Sequence, residues 1–435
     1  MLQKMSGRLK LTLALLFFLQ LGVITWSYYG DIWKEESRLK LYKSYLENPM
    51  EVKSLDLSNL KLDKLIDEIS QFQNLEYLNL SNNLFEEIPG IIFRLPKLKE
   101  VNLSGNRIKE VTFIENSTIS RLDLSNNRLE YMDYDLCNVG CFERLDWLDL
   151  SNNNLEEFPY FGSSKVDTIL LANNKLNNFY SIQLSMPSDH IVEYLDVSGN
   201  PIEGKSDQLY EVMGFDYGDL KTLSTKCYSL NISNITYEYF PYEILTYDRE
   251  LEDLVESLKY EEDGRRLITT MDMDYNEPAK QHKLKALNIS NSKFIDDEIH
   301  FQKSDLEILN LSNSNLDFSV SMFENFPKIQ VLYLENIKLE DFDFKQKTIT
   351  ELNLKGLEST FLFKLGLSKL NLLKLETLNI DYDFAVELLD SNLPNLKTIR
   401  IYNMPEGSDE LGEKLKNTFP ILNNVTVIFF SKVKT

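Results

Sequence analysis

One short pattern recurs along most of this chain. Six self-similar segments are LEYLNLSNNLF from Leu75, LKEVNLSGNRI from Leu98, ISRLDLSNNRL from Ile119, LDWLDLSNNNL from Leu145, VDTILLANNKL from Val166 and VEYLDVSGNPI from Val192. In a short strand alternate side chains face opposite ways, so Leu78 and Leu80 are predicted to point inward while their neighbours point outward. One unit cannot cover its own leucines, whereas stacked units can. The chain is therefore predicted to fold as a stack of short coils.

The six segments fit the pattern L-x-x-L-x-L-x-x-N-x-L, which resembles the leucine-rich repeat family. The resemblance implies an α/β fold, a leucine-rich repeat solenoid or horseshoe with short parallel strands on its concave face. It also implies that the asparagine at the ninth position of each segment turns inward and bonds the backbone of adjacent turns as a ladder. These asparagines are Asn83, Asn106, Asn127, Asn153, Asn174 and Asn200.

A second array follows the first. Its segments start at Leu284, Leu306, Ile329, Ile349, Leu375, Leu396 and, as a closing strand, Leu422. When the opening segment at Val52 is included, each start of the first array is matched 230 to 232 residues later, which predicts two seven-repeat modules. The ladder positions of the second array hold Ser292, Ser314, Ile337, Leu357, Asp383 and Met404. Its turns are expected to satisfy their polar groups differently and to be less regular.

The arrays divide the chain into predicted segments. Residues 31–50 are predicted to form a helical cap, 51–236 the first module, 237–283 an aperiodic linker and cap, and 284–435 the second, degenerate module. Residues 203–282 break the period apart from one repeat-like strand at Cys227, which is interpreted as the last strand of the first module. The alternative is an inserted functional element that projects from a continuous solenoid.

The N-terminus carries an export-type pattern. Three basic residues precede residues 11–30, which are uncharged and long enough to span a bilayer. Basic residues on that side predict a cytoplasmic N-terminus and export of everything after residue 30. Residues 1–30 fit either a cleaved signal peptide or an uncleaved transmembrane anchor. The protein is therefore predicted to be secreted, at the cell surface or membrane-anchored, with a cytosolic scaffold as the alternative.

Composition argues against several kinds of chemistry. The net charge of -22 disfavours a nucleic-acid partner. The three histidines have no metal-ligand spacing, and neither a phosphate-binding loop nor a nucleophile arrangement is recognisable, so no metal, cofactor or catalytic residue is predicted. Cys137 and Cys141 fit isolated thiols or, in an oxidising compartment, a disulfide.

The outward strand positions supply the predicted binding surface. Third and fifth positions of successive segments should form parallel columns on the concave face, with aromatic side chains beside acidic ones. The candidate partner-binding residues are Tyr77, Glu100, Arg121, Asp123, Trp147, Asp149, Tyr194 and Asp196. Exposed aromatics ringed by polar groups are typical of binding hot spots. For the Asp/Asn column the alternative is that these side chains only suit solvent and adjacent turns.

The predicted function is therefore a non-enzymatic, exported scaffold. Its partner is expected to be a protein or peptide with basic and apolar groups, and membrane contact is expected only through residues 11–30. One alternative is a structural surface protein or adhesin that self-associates. Another is an enzyme that uses residues 203–282.

Overall fold

The computed structural model describes most of both arrays. It covers residues 40, 43–65, 67–111, 118–132, 144–159, 165–177, 190–204, 227–237, 284–294, 304–315, 317–318, 320–339, 347–357, 371–403, 410–419, 421–422 and 424–427. The apolar stretch 11–30, the pair Cys137 and Cys141, and most of residues 203–282 lie outside these ranges. None of the helices within these ranges is both long and apolar enough to cross a bilayer.

The described residues form short strands at regular intervals. They are β1 (Ser54–Asp56), β2 (Tyr77–Asn79), β3 (Glu100–Asn102), β4 (Glu110–Val111), β5 (Arg121–Asp123), β6 (Tyr131–Met132), β7 (Arg144–Asp149), β8 (Lys165–Leu170), β9 (Val192–Asp196), β10 (Glu203–Gly204), β11 (Cys227–Asn231), β12 (Thr236–Tyr237), β13 (Ala286–Asn288), β14 (Lys293–Phe294), β15 (Ile308–Asn310), β16 (Asp317–Phe318), β17 (Val331–Tyr333), β18 (Lys338–Leu339), β19 (Glu351–Asn353), β20 (Thr377–Asp381), β21 (Thr398–Tyr402) and β22 (Asn424–Val427).

Fifteen of these strands make one parallel sheet. Its order follows the chain: β1, β2, β3, β5, β7, β8, β9, β11, β13, β15, β17, β19, β20, β21 and β22. Neighbours pair position for position, so that Leu55 lies opposite Leu78, and Leu78 lies opposite Val101. Each repeat therefore adds one strand and returns to the same point, which is the geometry of a solenoid.

Strand β11 joins the two arrays. It pairs in parallel with β9 on one side and with β13 on the other. On the opposite side of the coils, the short strands β10, β12 and β14 form a second parallel sheet across the same three repeats. The strand at Cys227 thus lies between the arrays and hydrogen-bonds to both.

The core is a continuous column of apolar side chains between the sheet and the far wall of the coils. Leucines at the fourth and sixth positions are buried, and Leu78 and Leu80 are 0% exposed. Large aromatic side chains fill the wider space behind them, namely Phe72, Phe85, Phe323 and Phe326. Four 3-10 helices help to form the far wall: Asp67–Gln71, Gly90–Arg94, Val320–Asn325 and Val386–Asp390.

Two α-helices lie near the C-terminal end. Helix α1 spans Tyr382–Ala385 and buries Phe384, and helix α2 spans Glu410–Thr418 and buries Leu411 and Leu415. At the other end, Tyr45 and Leu46 of the predicted cap are partly buried against the core, just before the 3-10 turn Pro49–Glu51. Apolar side chains therefore pack against the solenoid at both ends.

A left-handed residue ends nearly every strand turn. The eighth position has positive φ in coils of both arrays, for example 55° at Asn82 and 68° at Gly105. Asparagine tolerates this region and glycine occupies it without strain, which explains the recurrent S-N-N and S-G-N sequences. The coil from Leu375 differs, because α1 starts at its eighth residue, Tyr382.

The inward asparagines of the first array form a continuous hydrogen-bonded ladder. Asn127 donates from Nδ2 to the carbonyls of Leu103 and Leu124, 3.0 Å away in each case, and accepts from the Ile108 N–H at 3.0 Å. The Leu103 carbonyl also accepts from the preceding Asn106, so each rung is shared. The same arrangement holds for Asn83, Asn106, Asn153, Asn174 and Asn200.

The second array satisfies its turns in another way. The N–H groups of Ser314 and Ile337 donate to the sixth-position carbonyls of their own coils, Leu311 and Leu334. Asn315 lies one position later than the ladder, and it accepts from the Phe294 N–H at 2.7 Å and donates to the Phe294 carbonyl at 2.8 Å. Ile337 and Leu357 are buried apolar side chains, Asp383 is exposed on α1, and Met404 lies outside the described residues.

We expect the asparagine ladder to contribute more to the free energy of unfolding than the bonds at the equivalent positions of the second array. Replacing Asn127 by Ala leaves the buried Ile108 N–H without its acceptor and removes the three bonds that Asn127 Nδ2 donates, which should lower the free energy of unfolding by about 3 kcal/mol. Ser314→Ala, at the equivalent position, removes one side-chain bond and should cost about 1 kcal/mol. Urea unfolding of both variants gives the comparison. Equal losses of unfolding free energy in the two variants would show that the ladder stabilises the fold no more than the serine bond does.

Candidate partner-binding surface

Side chains at the third and fifth positions of each repeat stand on the side of the sheet away from the core. We call this side the open face. The third-position side chains Tyr77, Trp147 and Tyr194 are half-buried, whereas Glu100 and Arg121 are exposed. The in-register pairing places Glu100 beside Arg121 and Arg121 beside Trp147. The eight candidate residues therefore lie on one face, on strands β2, β3, β5, β7 and β9.

The Asp and Asn side chains at the fifth positions hydrogen-bond to the turn that follows each strand. Asp123, Asp149 and Asp196 each accept, through Oδ1, the backbone N–H of the residue two positions later, at 2.8–2.9 Å. Asn79 and Asn102 do the same. This contact is an Asx-turn, which stabilises the bend that follows each strand. One carboxylate oxygen of each aspartate is thus committed to the fold, and the other faces the open side.

Glu100, Arg121 and Trp147 form a row across three strands. The Arg121 guanidinium lies 4.7 Å from the centre of the Trp147 ring, and its Nε is 3.9 Å from Glu100 Oε2. A cation over an indole is attracted by the ring's negative face. The guanidinium therefore fixes the orientation of the Trp147 ring and leaves it partly exposed.

Tyr194 and Asp196 form a second polar group on β9. The Tyr194 hydroxyl donates to Asp196 Oδ2 at 3.3 Å, and the same oxygen accepts from Asn231 Nδ2 at 2.9 Å. Burial, with the nearby Asp196 charge, raises the pKa of Tyr194 to about 12. The phenol therefore stays a neutral hydrogen-bond donor throughout the physiological range.

The pKa values of two further candidates, Asp149 and Tyr77, are also raised on this face. Burial raises the pKa of Asp149, and the charges of Asp123 and Asp196 add to the effect. Burial also raises the pKa of Tyr77, with a contribution from Asp56. The mutual repulsion of the aspartates favours a positively charged group above this surface.

The second array carries an open-face cluster that sequence reasoning missed. The Tyr333 hydroxyl donates to Glu351 at 3.0 Å, and Arg400 Nη1 donates to Asn379 Oδ1 at 3.1 Å. Burial, with Glu351, raises the pKa of Tyr333 to about 12. Extending the third- and fifth-position columns into the degenerate array would have located these side chains.

A further departure marks the seventh position. Coils of the first array have serine or alanine there, whereas the four coils before the closing strand have Glu335, Lys355, Asp381 and Tyr402. Lys355 bonds to Glu335, and its ammonium lies 5.0 Å from the centre of the Tyr402 ring. The buried Asp381 accepts from the Gly356 N–H, which replaces the backbone acceptor used in other coils. These larger side chains enlarge the polar edge of the open face near the C-terminal end.

The described residues contain little that suggests chemistry. They hold no group of three or more His, Cys, Asp or Glu side chains able to bind a metal ion. His190 Nε2 lies 3.0 Å from the Val166 carbonyl and 3.3 Å from Asp167 Oδ1, so it bridges neighbouring coils. Burial raises the pKa of Cys227 to about 12, which keeps it a protonated core side chain.

Comparison with known families agrees with this geometry. Residues 73–116 match the family model described as leucine-rich repeats in two copies, and the same coil recurs through all fifteen strands of the sheet. The chain therefore contains leucine-rich repeats. No curated protein matches its sequence.

Several solved structures are similar to this chain at low sequence identity. A leucine-rich repeat protein from Leptospira interrogans is 19% identical, with 89% of this chain and 98% of that one covered and a TM-score of 0.36. YopM, a leucine-rich effector protein from Yersinia pestis, is 17% identical, with 91% and 93% covered and a TM-score of 0.43. A TDR receptor is 18% identical with a TM-score of 0.47, and 89% of this leucine-rich repeat chain spans 62% of that receptor chain.

The raised pKa of Tyr194 predicts a stability loss at high pH. The unfolded chain releases the phenol proton near pH 10, whereas the folded protein holds it to about pH 12, so stability falls as the pH rises through this interval. Tyr194→Phe should flatten the fall in unfolding free energy above pH 10. Tyr131→Phe, a change at a tyrosine away from the open face, is the control. An unchanged slope in Tyr194→Phe would contradict the assignment.

Proposed function

We propose that this leucine-rich repeat protein is a non-enzymatic scaffold that binds a protein or peptide on the open face of its first array. Leucine-rich repeats generally serve as scaffolds for protein–protein interaction. The observation that supports the proposal most is the pair of held aromatics. Trp147 is oriented by Arg121 and Tyr194 by Asp196, and both remain partly exposed.

Rigid aromatic side chains suit this role. Trp and Tyr bury a large area on binding at a small cost in conformational entropy, and they are enriched among binding hot spots. The carboxylates of Asp123, Asp149 and Asp196 lie on the same face and favour a basic partner. Electrostatic attraction of this kind raises the association rate and weakens as salt is added.

Substitution of both aromatics tests the proposal. Proximity labelling in cells that naturally express the protein should recover a set of labelled partners with the wild type. Trp147→Ala combined with Tyr194→Ala should lower labelling of the main partner by about tenfold or more, since hot-spot truncations typically cost at least 2 kcal/mol. Tyr131→Ala, at an exposed residue off the open face, is the matched control and should keep the wild-type labelling.

Two results would contradict the assignment. Labelling that is unchanged in the double variant would place the binding surface elsewhere. Sedimentation velocity that shows concentration-dependent assembly of the purified protein, abolished by the same double variant, would favour the self-associating surface protein.

We also propose that the repeats are exported. The support is the order of basic residues followed by the uncharged stretch 11–30. Protease added to intact cells should degrade the repeats, while a cytosolic marker protein stays intact. Protection of the repeats until the cells are lysed would assign the scaffold to the cytosol instead.

A further inference from the structure

The middle of the open face carries no charge. On strands β11, β13, β15 and β17 the third positions are Ser229, Ala286, Ile308 and Val331, and the fifth positions are Asn231, Asn288, Asn310 and Tyr333. We call these eight positions the neutral window. Ile308 is 41% exposed near the centre of this window. In a chain with a net charge of -22, a run of four uncharged strands is a distinct feature.

Two charged side chains of opposite sign stand at the second positions beside the window. Lys285 and Glu307, just before β13 and β15, form an ion pair with Nζ and Oε1 3.6 Å apart. The amide groups of Asn288 and Asn310 are engaged in turns, because each accepts the N–H of the serine two positions later. The centre of the window is therefore an aliphatic pair, the exposed Ile308 and the half-buried Val331.

The two sides of the window differ in charge. Towards the N-terminus lie the acidic fifth positions Asp149 and Asp196, and the cation nearest to them in these columns, Arg121, is engaged by Trp147 and Glu100. Towards the C-terminus lies Arg400, whose bond goes to the neutral Asn379. Within the described residues no carboxylate forms an ion pair with Arg400.

A guanidinium with a neutral partner retains capacity for an anion. Arg has five N–H donors in a planar fork that matches a carboxylate, and Arg400 uses one for Asn379. Glu351, the acidic third-position residue two strands earlier, already accepts from the Tyr333 hydroxyl. The open face thus has aspartates on the N-terminal side of the window. On the C-terminal side it has Glu351, next to Val331 across the sheet, and beyond it Arg400.

We propose that the partner presents one extended segment across the open face, with a basic side chain over Asp149 and Asp196, an aliphatic or aromatic side chain on Ile308 and Val331, and a carboxylate at Arg400. This inference rests on the proposed function and adds the chemistry and direction of the ligand. Three strand spacings separate β9 from β15, about 14 Å, and four separate β15 from β21, about 19 Å. At about 3.3 Å per residue, the basic group lies about four residues from the apolar one, and the acidic group about six residues beyond it.

A peptide selection tests the order of groups. A random library of 16-residue peptides displayed on phage is selected against the full chain. We expect enriched peptides to share a basic residue, an apolar residue about four positions away, and an acidic residue or terminal carboxylate about six positions further, in either chain direction. Enriched peptides without this order would overturn the inference.

Charge reversal then tests the Arg400 contact directly. Arg400→Glu should weaken the best selected peptide by about tenfold or more, and replacing the acidic residue of that peptide by Lys should restore binding to this variant. Arg128→Glu makes the same change in charge at an exposed residue outside the sheet strands, and it should leave the affinity unchanged. Ile308→Asp should weaken the same peptide to a similar degree as Arg400→Glu.

The outcomes separate this inference from the proposed function. If labelling of the native partner depends on Trp147 and Tyr194 but not on Ile308 or Arg400, the scaffold role stands and the directional ligand is wrong. If neither pair of residues matters, both proposals fail. Equal loss of peptide binding in Arg400→Glu and Arg128→Glu would also overturn the inference, because it would reduce the contact to overall charge.

Discussion

The fold depends on satisfying the backbone inside each turn. A coil that buries leucines at its fourth and sixth positions must bend directly afterwards, and the bend leaves carbonyl and N–H groups facing the core. In the first array a side-chain amide answers this need, since Asn106 and Asn127 both bond the Leu103 carbonyl and so link neighbouring coils. Hydrogen bonds of this kind stabilise only because the alternative, an unpaired buried group, is costly. The regular repeat is thus as much a polar requirement as an apolar one.

The second array separates two features that the first array combines. Apart from the coil from Leu375, its described coils keep the left-handed residue at the eighth position, as at Asn313 and Asn336, but not the asparagine at the ninth. The bend is therefore set by backbone conformation, while the ladder is one of several ways to pair the groups inside it. In two of the coils without the ladder asparagine, the ninth-position N–H, of Ser314 or Ile337, donates to the sixth-position carbonyl of its own coil. Degeneracy in sequence has changed the hydrogen bonds without removing the strands.

The sequence predicts most of the architecture because its strongest signals are local. Leu78 and Leu80 alternate in a strand, and the parallel solenoid follows from stacking such units. Ser314 and Ile337, in place of asparagine, predict that the turns of the second array are less regular. The sequence does not predict that Asn315 takes over part of the ladder's hydrogen bonding, because that depends on contact with Phe294 in the preceding coil. The partners of Arg121 and Arg400 were equally inaccessible. The third- and fifth-position columns predict which residues are neighbours across the sheet. The orientations of aromatic rings and guanidinium groups depend on tertiary packing, which the columns do not predict.

The third and fifth strand positions have different roles, and this difference limits which residues can determine specificity for a partner. Fifth-position Asp and Asn side chains are bound to the turn that follows them, so substitutions there change both stability and surface chemistry. Third-position side chains such as Trp147 and Ile308 have no such bond, and they can vary with little cost to the fold. A partner that reads mainly the third-position column would therefore meet a surface that changes readily while the solenoid persists. Arg400, like Leu170 and Tyr333, is a fifth-position side chain that forms no Asx-turn, and of these three it alone carries a charge, which is available to a ligand because its bond goes to the neutral Asn379.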